Sequence, residues 1–154
     1  MLENPQITQS TAQVTAVIRM TVPREEMAKV MGPGIGEVMA AVQAQGIATT
    51  GAWFSHHLRM DPKVFDFEVG VPVASAVKPA GRVVPSSLPA TKVARTVYQG
   101  PYEKLGAAWG EFSGWIEQQQ LKTAEDLWEC YLSGPESGSD PSQFRTELNR
   151  PLLR

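Results

Sequence analysis

The segment Trp128–Leu132, with the sequence WECYL, carries the residue types and the spacing that most clearly permit chemistry. It is predicted to be a β-strand, whose side chains alternate between two faces, so Glu129 and Tyr131 share one face. The other face carries a more apolar set, which we expect to pack against a helix: Trp128, Cys130 and Leu132. Glu129 and Tyr131 would then face a groove, where a shielded carboxylate attracts a cation more strongly than in bulk water. The alternative is an ordinary strand carboxylate, solvated or paired with a nearby Arg or Lys.

The remaining polar groups do not form a metal, nucleotide or nucleophile site. His56 and His57 are adjacent, so on a strand they point to opposite faces and cannot bind one metal ion together. Ser86 and Ser87 lack the His and Asp pattern of a serine nucleophile. The glycine-rich run at 32–36 contains a proline, which removes a backbone donor, and has no lysine to bind a phosphate. We therefore expect neither a metal nor a cofactor.

The composition excludes several classes of protein. The chain has 154 residues, 42% of them hydrophobic, which is enough for one domain with a substantial core. A net charge of -2 provides no positive field for a phosphate backbone, so we expect no direct binding of nucleic acid. The single cysteine rules out an internal disulfide and fits a reducing compartment. The polar opening segment and the lack of a long apolar run predict a cytoplasmic protein without a membrane span.

The first half of the chain predicts a strand, a helix and two further strands. Residues 12–22 are rich in β-branched residues and predict a strand. The segment 23–34 predicts a helical turn or loop, because it contains the sequence Gly-Pro-Gly. Apolar residues at helical spacing from Ile35 to Val42 predict a helix that stops at Gly46. Two strands are predicted to follow, near residues 51–58 and 64–71.

The second half repeats this order after the segment 76–87, whose Pro and Gly residues predict an extended, irregular linker. Residues 92–98 predict a strand, and Pro101 suits the first turn of the helix that follows. The buried stripe of this helix is predicted to consist of Leu105, Trp109, Phe112 and Ile116. Strands near 126–132 and 143–149 are separated by the turn-rich segment 134–142, in which we expect no regular structure.

The two halves correspond at an offset of about 75 residues, which indicates an internal duplication. The matches are Gly36-Glu37 with Gly110-Glu111, Val42 with Ile116, Trp53 with Trp128, and Val71-Pro72 with Arg150-Pro151. We therefore predict a single α+β domain of duplicated β-α-β-β units, at 12–75 and 88–152. Each unit would have an antiparallel sheet and one long helix, and the uncovered faces would form a central ligand groove. By this correspondence Phe54 and His56 match Glu129 and Tyr131 and are expected to line the opposite wall.

Further aromatic residues are candidates for the wall of this groove. Trp115 lies off the buried helix stripe and could border the groove or an interface, whereas Trp109 and Phe112 are predicted to be core residues. Tyr98 and Tyr102 flank the strand-to-helix turn. A phenol there could reach a ligand, or could pack in the core with its hydroxyl solvated.

Taken in order, these segments resemble the GyrI-like family, the effector-binding domain of Rob-type and BmrR-type transcription regulators, which also exists as free-standing proteins. The resemblance extends from about Ala12 to Leu152 and rests on four segments: FDFEVGVPV (Phe65–Val73), YQGPYEKLGAAW (Tyr98–Trp109), WECYL (Trp128–Leu132) and TELNRPL (Thr146–Leu152). It implies a pseudo-two-fold α/β domain whose central groove accepts flat, apolar and often cationic molecules. It also places Glu129 where relatives hold the carboxylate that meets a cationic ligand. No helix-turn-helix module fits before Ala12, so we expect a stand-alone protein rather than a direct transcription regulator.

The resemblance leaves three functions open. The leading one is a protein that senses or sequesters aromatic, cationic drugs or toxins, with candidate ligand contacts at Glu129, Tyr131, Phe54, His56, Tyr98, Tyr102 and Trp115. The alternative is a hydrolase of cyclopropane-containing genotoxins, in which Glu129 is the general base and Tyr131 positions water or donates a proton. The third is a protein-interaction role, such as gyrase inhibition or docking on a separate regulator, which predicts an exposed apolar patch around Trp115. Both a monomer and a homodimer are compatible with the sequence.

Overall fold

The computed structural model describes residues 2–134 and 140–153. The chain divides into two compact units, which we call the first unit (Thr11–Ala90) and the second unit (Met1–Ser10 with Thr91–Arg154). The described residues form eight strands and two α-helices: β1 (Gln6–Gln9), β2 (Gln13–Pro23), α1 (Met27–Ala44), β3 (Phe54–Met60), β4 (Val64–Pro72), β5 (Val84–Leu88), β6 (Lys92–Gln99), α2 (Leu105–Gln118), β7 (Leu127–Ser133) and β8 (Arg145–Pro151). The predicted α+β class and the antiparallel pairing are confirmed.

In the first unit the antiparallel strand order is β3-β4-β2-β5. Alternating residues of β2 and β4 put Ile18, Phe67 and Val69 on the same face, where all three are fully buried. Val38 and Val42 of α1 pack against this face. Burial of side chains of this size contributes about 1.5–3 kcal/mol each, and this contribution holds the helix on the sheet.

α1 is longer than the sequence predicts. It begins at Met27 rather than near Ile35, and it continues through the Gly-Pro-Gly sequence. Pro33 removes a helical hydrogen bond, which costs up to about 3 kcal/mol in a helix interior. A Cβ at Gly34 would lie 2.5 Å from the Met20 side chain, so glycine at this position lets the helix approach β2 closely. The packing of α1 on the sheet therefore outweighs the local helix breakers.

The C-terminal end of α1 confirms the predicted stop. The helix ends at Ala44, and Gly46 has a φ of +66°. Glycine adopts this left-handed conformation without the steric cost that a Cβ imposes. β3 and β4 then follow, as predicted.

One strand of each unit is not predicted from the sequence. The segment 76–87, expected to be an irregular linker, contains most of β5, which pairs with β2 from Gln13 to Val17. In the second unit β1 pairs with β6, although three of its four residues are polar. Each of these strands is the last in its unit's strand order, and most of its residues are exposed. Edge strands need no apolar alternation and tolerate a residue such as Pro85, so the usual sequence signals are absent.

In the second unit the antiparallel strand order is β1-β6-β8-β7. α2 covers one face of this sheet, where Phe112 and Ile116 pack in one cluster with Ala94 of β6 and Leu148 of β8. The other two members of the predicted helix stripe, Leu105 and Trp109, are only half-buried. The buried face of α2 is thus narrower than the sequence predicts.

Two connections of the second unit contain short 3₁₀ turns, one before α2 and one before β8. Pro101 precedes a 3₁₀ turn, Tyr102–Lys104, which leads directly into α2. Much of the predicted irregular segment 134–142 lies outside the described residues, which resume at Asp140. The Asp140 side chain accepts a hydrogen bond from the Ser142 amide and begins a 3₁₀ turn that leads to β8.

Each unit contains strand, helix, strand and strand in the same order, as β2, α1, β3, β4 and as β6, α2, β7, β8. The internal duplication, the boundaries 12–75 and 88–152, the pseudo-two-fold and the shared groove remain predictions. Among the described residues, no helix is both long and apolar enough to cross a membrane.

Candidate functional site

Glu129 lies in the middle of β7 and is 7% exposed. Its direct partner on β8 is Leu148, a core residue packed against α2, and residues paired in this way share a face of the sheet. Glu129 and Tyr131 therefore face α2. This corrects the prediction that the helix-facing residues are Trp128, Cys130 and Leu132, of which Leu132 is 42% exposed. A count of apolar side chains favours the wrong face, because Glu129 has a hydrogen-bond donor on α2, the indole N–H of Trp109.

Both carboxylate oxygens of Glu129 accept hydrogen bonds from aromatic side chains. Trp109 on α2 donates its indole N–H to Oε2 at 2.6 Å, and the Tyr131 hydroxyl donates to Oε1 at 2.7 Å. Such short distances are typical of hydrogen bonds to an ionised acceptor. Neither donor carries a charge, so these two bonds orient the carboxylate without neutralising it.

The two aromatic donors to this carboxylate are themselves packed against further rings. Tyr102 meets Tyr131 edge-on, with ring centroids 5.9 Å apart, and Phe144 lies 5.2 Å from Tyr102. Trp109 in turn contacts Phe112 at 5.8 Å. Rings of this kind exclude water and offer π faces to a positive charge. Of the predicted site residues, Tyr131 thus contacts Glu129 directly, and Tyr102 contacts Tyr131.

Trp109 is the site residue that the sequence analysis misses. Its helical spacing with Phe112 predicts a core side chain, yet it is half-buried and bonded to Glu129. A tryptophan that packs against a sheet needs an acceptor for its indole N–H. The sequence does contain such an acceptor, Glu129, on a predicted strand of the same unit. Only the fold shows that Trp109 and Glu129 are in contact.

Two other predicted site residues have different contacts. Tyr98 is 4% exposed, and its hydroxyl donates to the Pro101 carbonyl at 2.9 Å. Burial raises the pKa of this phenol. Trp115 is half-buried and stacks on Phe112, with ring centroids 6.3 Å apart. Tyr98 therefore braces the turn before α2, and Trp115 extends the aromatic core of the helix.

In the first unit, Ser55 and His57 face α1, because their partners on β4 belong to the core beneath that helix. Phe54 and His56, which the sequence analysis matches with the acid and phenol of β7, are buried on the opposite face. Phe54 and His56 therefore do not take the helix-facing positions that Glu129 and Tyr131 take on β7. Adjacent residues of a strand point to opposite faces.

Ser55 and His57 form a second hydrogen-bonded pair with the same spacing as Glu129 and Tyr131. The Ser55 hydroxyl lies 3.3 Å from Nε2 of His57, whose ring stacks on Phe67 at 5.4 Å. The pKa of His57 is lowered to about 4, mainly by burial and in smaller part by the charges of His56 and Arg24. Each unit thus places a polar pair beneath its helix, neutral in the first unit and acidic in the second.

The opposite face of β7 does not supply a nucleophile. Burial raises the pKa of the Cys130 thiol to about 12, with a further contribution from Glu147. Glu147 accepts a hydrogen bond from Asn149 at 3.1 Å and lies 3.5 Å from Nε of Arg95. Cys130 is therefore a protonated thiol at pH 7. In the described part of the chain, no three His, Cys, Asp or Glu residues are grouped to hold a metal ion.

The sequence matches one family of binding domains. The model of the GyrI-like small molecule binding domain matches residues 3–152. The chain belongs to this family. The matched range includes nearly all of the sequence, with most of both units and Glu129.

Several solved structures have the same GyrI-like fold. The chain is 21% identical to the EcmrR C-terminal domain over 98% of each chain, with a TM-score of 0.85. It spans 57% of EcmrR as seen in a complex with DNA, at 20% identity over 98% of this chain and a TM-score of 0.85. SAV2435, solved bound to tetraphenylphosphonium, is 15% identical over 98% of this chain and 94% of its own, with a TM-score of 0.71. A hydrolase from Listeria innocua is 10% identical over 97% of this chain and 91% of its own, with a TM-score of 0.64. No curated protein is significantly similar to this chain.

Proposed function

We propose that this GyrI-like protein binds apolar or aromatic organic cations and that Glu129 is the anionic contact. The observation that carries the proposal is a buried carboxylate held between the indole of Trp109 and the hydroxyl of Tyr131. At an effective dielectric constant of about 20, a cation about 5 Å from this carboxylate gains about 3 kcal/mol. That free energy corresponds to an affinity about 100-fold higher than for a neutral molecule of the same shape.

The aromatic rings beside Glu129 account for the apolar part of the ligand. Trp109, Tyr102 and Tyr131 supply flat surfaces, and a cation over such a ring gains about 0.5–2 kcal/mol. The family description, a small molecule binding domain, supports a binding role, and SAV2435 with tetraphenylphosphonium supports a lipophilic cation as the ligand class. We therefore propose a role in sensing or sequestering cationic drugs or toxins.

Calorimetric titration with tetraphenylphosphonium tests this role. Glu129→Gln should weaken the affinity at least tenfold, because it removes the charge while it keeps the size of the side chain. Triphenylphosphine oxide, a neutral molecule of similar shape, should bind the parent and the variant with affinities that differ less than threefold.

Glu111→Gln is the matched control, since Glu111 is an exposed carboxylate on the same helix as Trp109. It changes the net charge by the same amount and should leave the affinity for tetraphenylphosphonium unchanged. Equal affinities of the parent and of Glu129→Gln for the cation would refute the proposed role of Glu129.

The contact between Tyr131 and Glu129 also supports a second function, a hydrolase of cyclopropane-containing genotoxins. A carboxylate 2.7 Å from a phenol could accept a proton from water while the phenol donates one to the opening ring. General acid and base catalysis of this kind contributes about 10²–10⁴-fold in rate. Incubation with a hundredfold excess of a cyclopropane-containing alkylator decides between the functions: a hydrolase converts all of it by addition of water, whereas a binding protein at most removes one equivalent.

Other parts of the proposal rest on the sequence alone. Phe54, His56, Tyr98 and Trp115 are proposed as further ligand contacts. Docking on gyrase or on a separate regulator has less support, because it needs an exposed apolar patch around Trp115, whose ring stacks on Phe112.

A further inference from the structure

The second unit has a surface depression at the C-terminal end of α2. Its volume is about 280 Å³, and its lining comes from the last turns of the helix, the segment that follows and β8. The lining residues are Ser113, Ile116, Glu117, Leu121, Thr123 and Arg150. This volume is sufficient for a ligand of about ten non-hydrogen atoms and is separate from the residues that hold Glu129.

The guanidinium of Arg150, which lines this depression, has hydrogen-bond donors that are not fully used. Nη2 donates to the Ala124 carbonyl at 2.9 Å, but its contact with the Thr123 hydroxyl is long, at 3.4 Å. Nε is shielded from water and has no hydrogen-bond partner among the described residues. Burial lowers the pKa of Arg150, whereas the charge of Asp126 opposes this effect. The acceptors hydrogen-bonded to this half-buried cation are both neutral, and Asp126 acts on it only through its charge, so a carboxylate can add hydrogen bonds that the guanidinium lacks.

We propose that this depression binds a small organic monocarboxylate, with the carboxylate paired to Arg150 and the apolar part against Ile116 and Leu121. A guanidinium presents its N–H groups in a planar fork that matches a carboxylate. The Thr123 hydroxyl only accepts from Arg150, through a long contact of 3.4 Å, so its own O–H can donate to the same carboxylate. Ser113, exposed on α2, offers another hydroxyl at the rim.

Glu117 determines which anions this depression accepts. Its carboxylate is exposed and belongs to the same lining, so it repels a second negative charge. A monoanion with an apolar body therefore fits better than phosphate or sulfate. The charge preference is the opposite of that proposed at Glu129, which allows the two sites to be tested independently.

Benzoate, benzamide and benzylamine share one shape and differ in charge, and they are suitable probes. Titrated into the ¹⁵N-labelled full-length protein, benzoate should shift the amide signals of residues 121–124 and 150 with an affinity in the millimolar range, as expected for nine heavy atoms. Benzamide and benzylamine should produce at most a fifth of the saturation that benzoate produces at equal concentration.

Three variants separate binding at Arg150 from a merely structural role. Arg150→Gln should weaken benzoate binding at least fivefold, and Arg150→Lys, which keeps the charge but loses the fork, should also weaken it. Glu117→Gln alters only an exposed side chain and should strengthen benzoate binding about twofold to threefold. Glu111→Gln on the same helix is the charge-matched control and should change nothing.

The proposal is overturned if benzamide binds as well as benzoate, if the shifted amides lie elsewhere, or if Glu117→Gln does not strengthen binding. Glu129→Gln should leave benzoate binding unchanged. Loss of tetraphenylphosphonium binding in that variant together with retained benzoate binding would show two separate sites.

Discussion

Acidification should destabilise this protein through one buried histidine. His57 is 5% exposed, and burial lowers its pKa from 6.5 to about 4. The unfolded chain takes up a proton near pH 6.5, whereas the folded protein resists protonation until about pH 4. The contribution of neutral His57 to stability is therefore complete above pH 6.5 and declines as the pH falls toward 4.

The magnitude follows from these two pKa values. Between pH 7 and pH 5 the free energy of unfolding should fall by about 2 kcal/mol, and by roughly 3 kcal/mol once the pH is below 4. Asp66 does not interfere in the first interval, because hydrogen bonds from Arg19 and Arg59 lower its pKa below the ordinary value of 3.8. Its stabilising contribution is present at pH 5 and is lost only in stronger acid.

Unfolding in guanidinium chloride at pH 7 and pH 5 measures this effect, with His57→Gln as the comparison. Glutamine does not titrate and can hydrogen-bond to Ser55 in place of the imidazole. The parent should lose about 2 kcal/mol more than this variant between the two pH values. His56→Gln, in which His57 is intact, should retain most of the extra loss. The reasoning is refuted if the parent and His57→Gln lose equal stability, or if an NMR titration of the folded protein gives His57 a midpoint near 6.5.

Three further substitutions test the packing and the site. Gly70→Ala should lower the free energy of unfolding by at least about 2 kcal/mol, because a Cβ there would lie 2.2 Å from the Ala16 carbonyl oxygen; a change below about 0.5 kcal/mol in denaturant unfolding would contradict this packing. Gly106→Ala is on an exposed helix position, where the added Cβ has nothing within 4 Å beyond its chain neighbours and the backbone of its own helix. It should instead raise stability by about 0.5–1 kcal/mol in the same assay. Trp109→Phe should weaken tetraphenylphosphonium binding about twofold to tenfold in calorimetry, since it keeps an aromatic ring, although a smaller one, and removes the hydrogen bond to Glu129. An unchanged affinity would show that the indole N–H does not position the carboxylate.

The order of helices and strands could be predicted because each long element has its own periodic pattern. The start of α1 could not be predicted from the sequence. It depends on the close packing of Gly34 in the helix against Met20, which lies on β2. A helix breaker is harmful only where nothing compensates for it. The sequence around residues 32–34 does not reveal that the sheet compensates here.

The orientation of β7 could not be predicted for a different physical reason. Alternation assigns a strand to one face only when the other face is exposed, and here Trp128, Glu129 and Tyr131 are all buried. The pairing of Glu129 with Leu148, together with the position of α2, determines the face. The residues of the candidate site could thus be named from the sequence, but their hydrogen-bond partner Trp109 could not.

The polar pairs beneath the two helices, Ser55 with His57 and Glu129 with Tyr131, differ in charge, and this difference bears on the proposed preference for cationic ligands. Ser55 and His57 occupy helix-facing positions of β3, as Glu129 and Tyr131 do on β7. A protonated imidazole would add a positive charge to a protein proposed to bind cations, but the low pKa of His57 keeps this pair neutral down to about pH 4. The first unit therefore has a hydrogen-bonding pair without a charge beneath its helix, whereas the second unit has a carboxylate. If cation binding is the function, Glu129 supplies the negative charge, and its removal should abolish the charge preference.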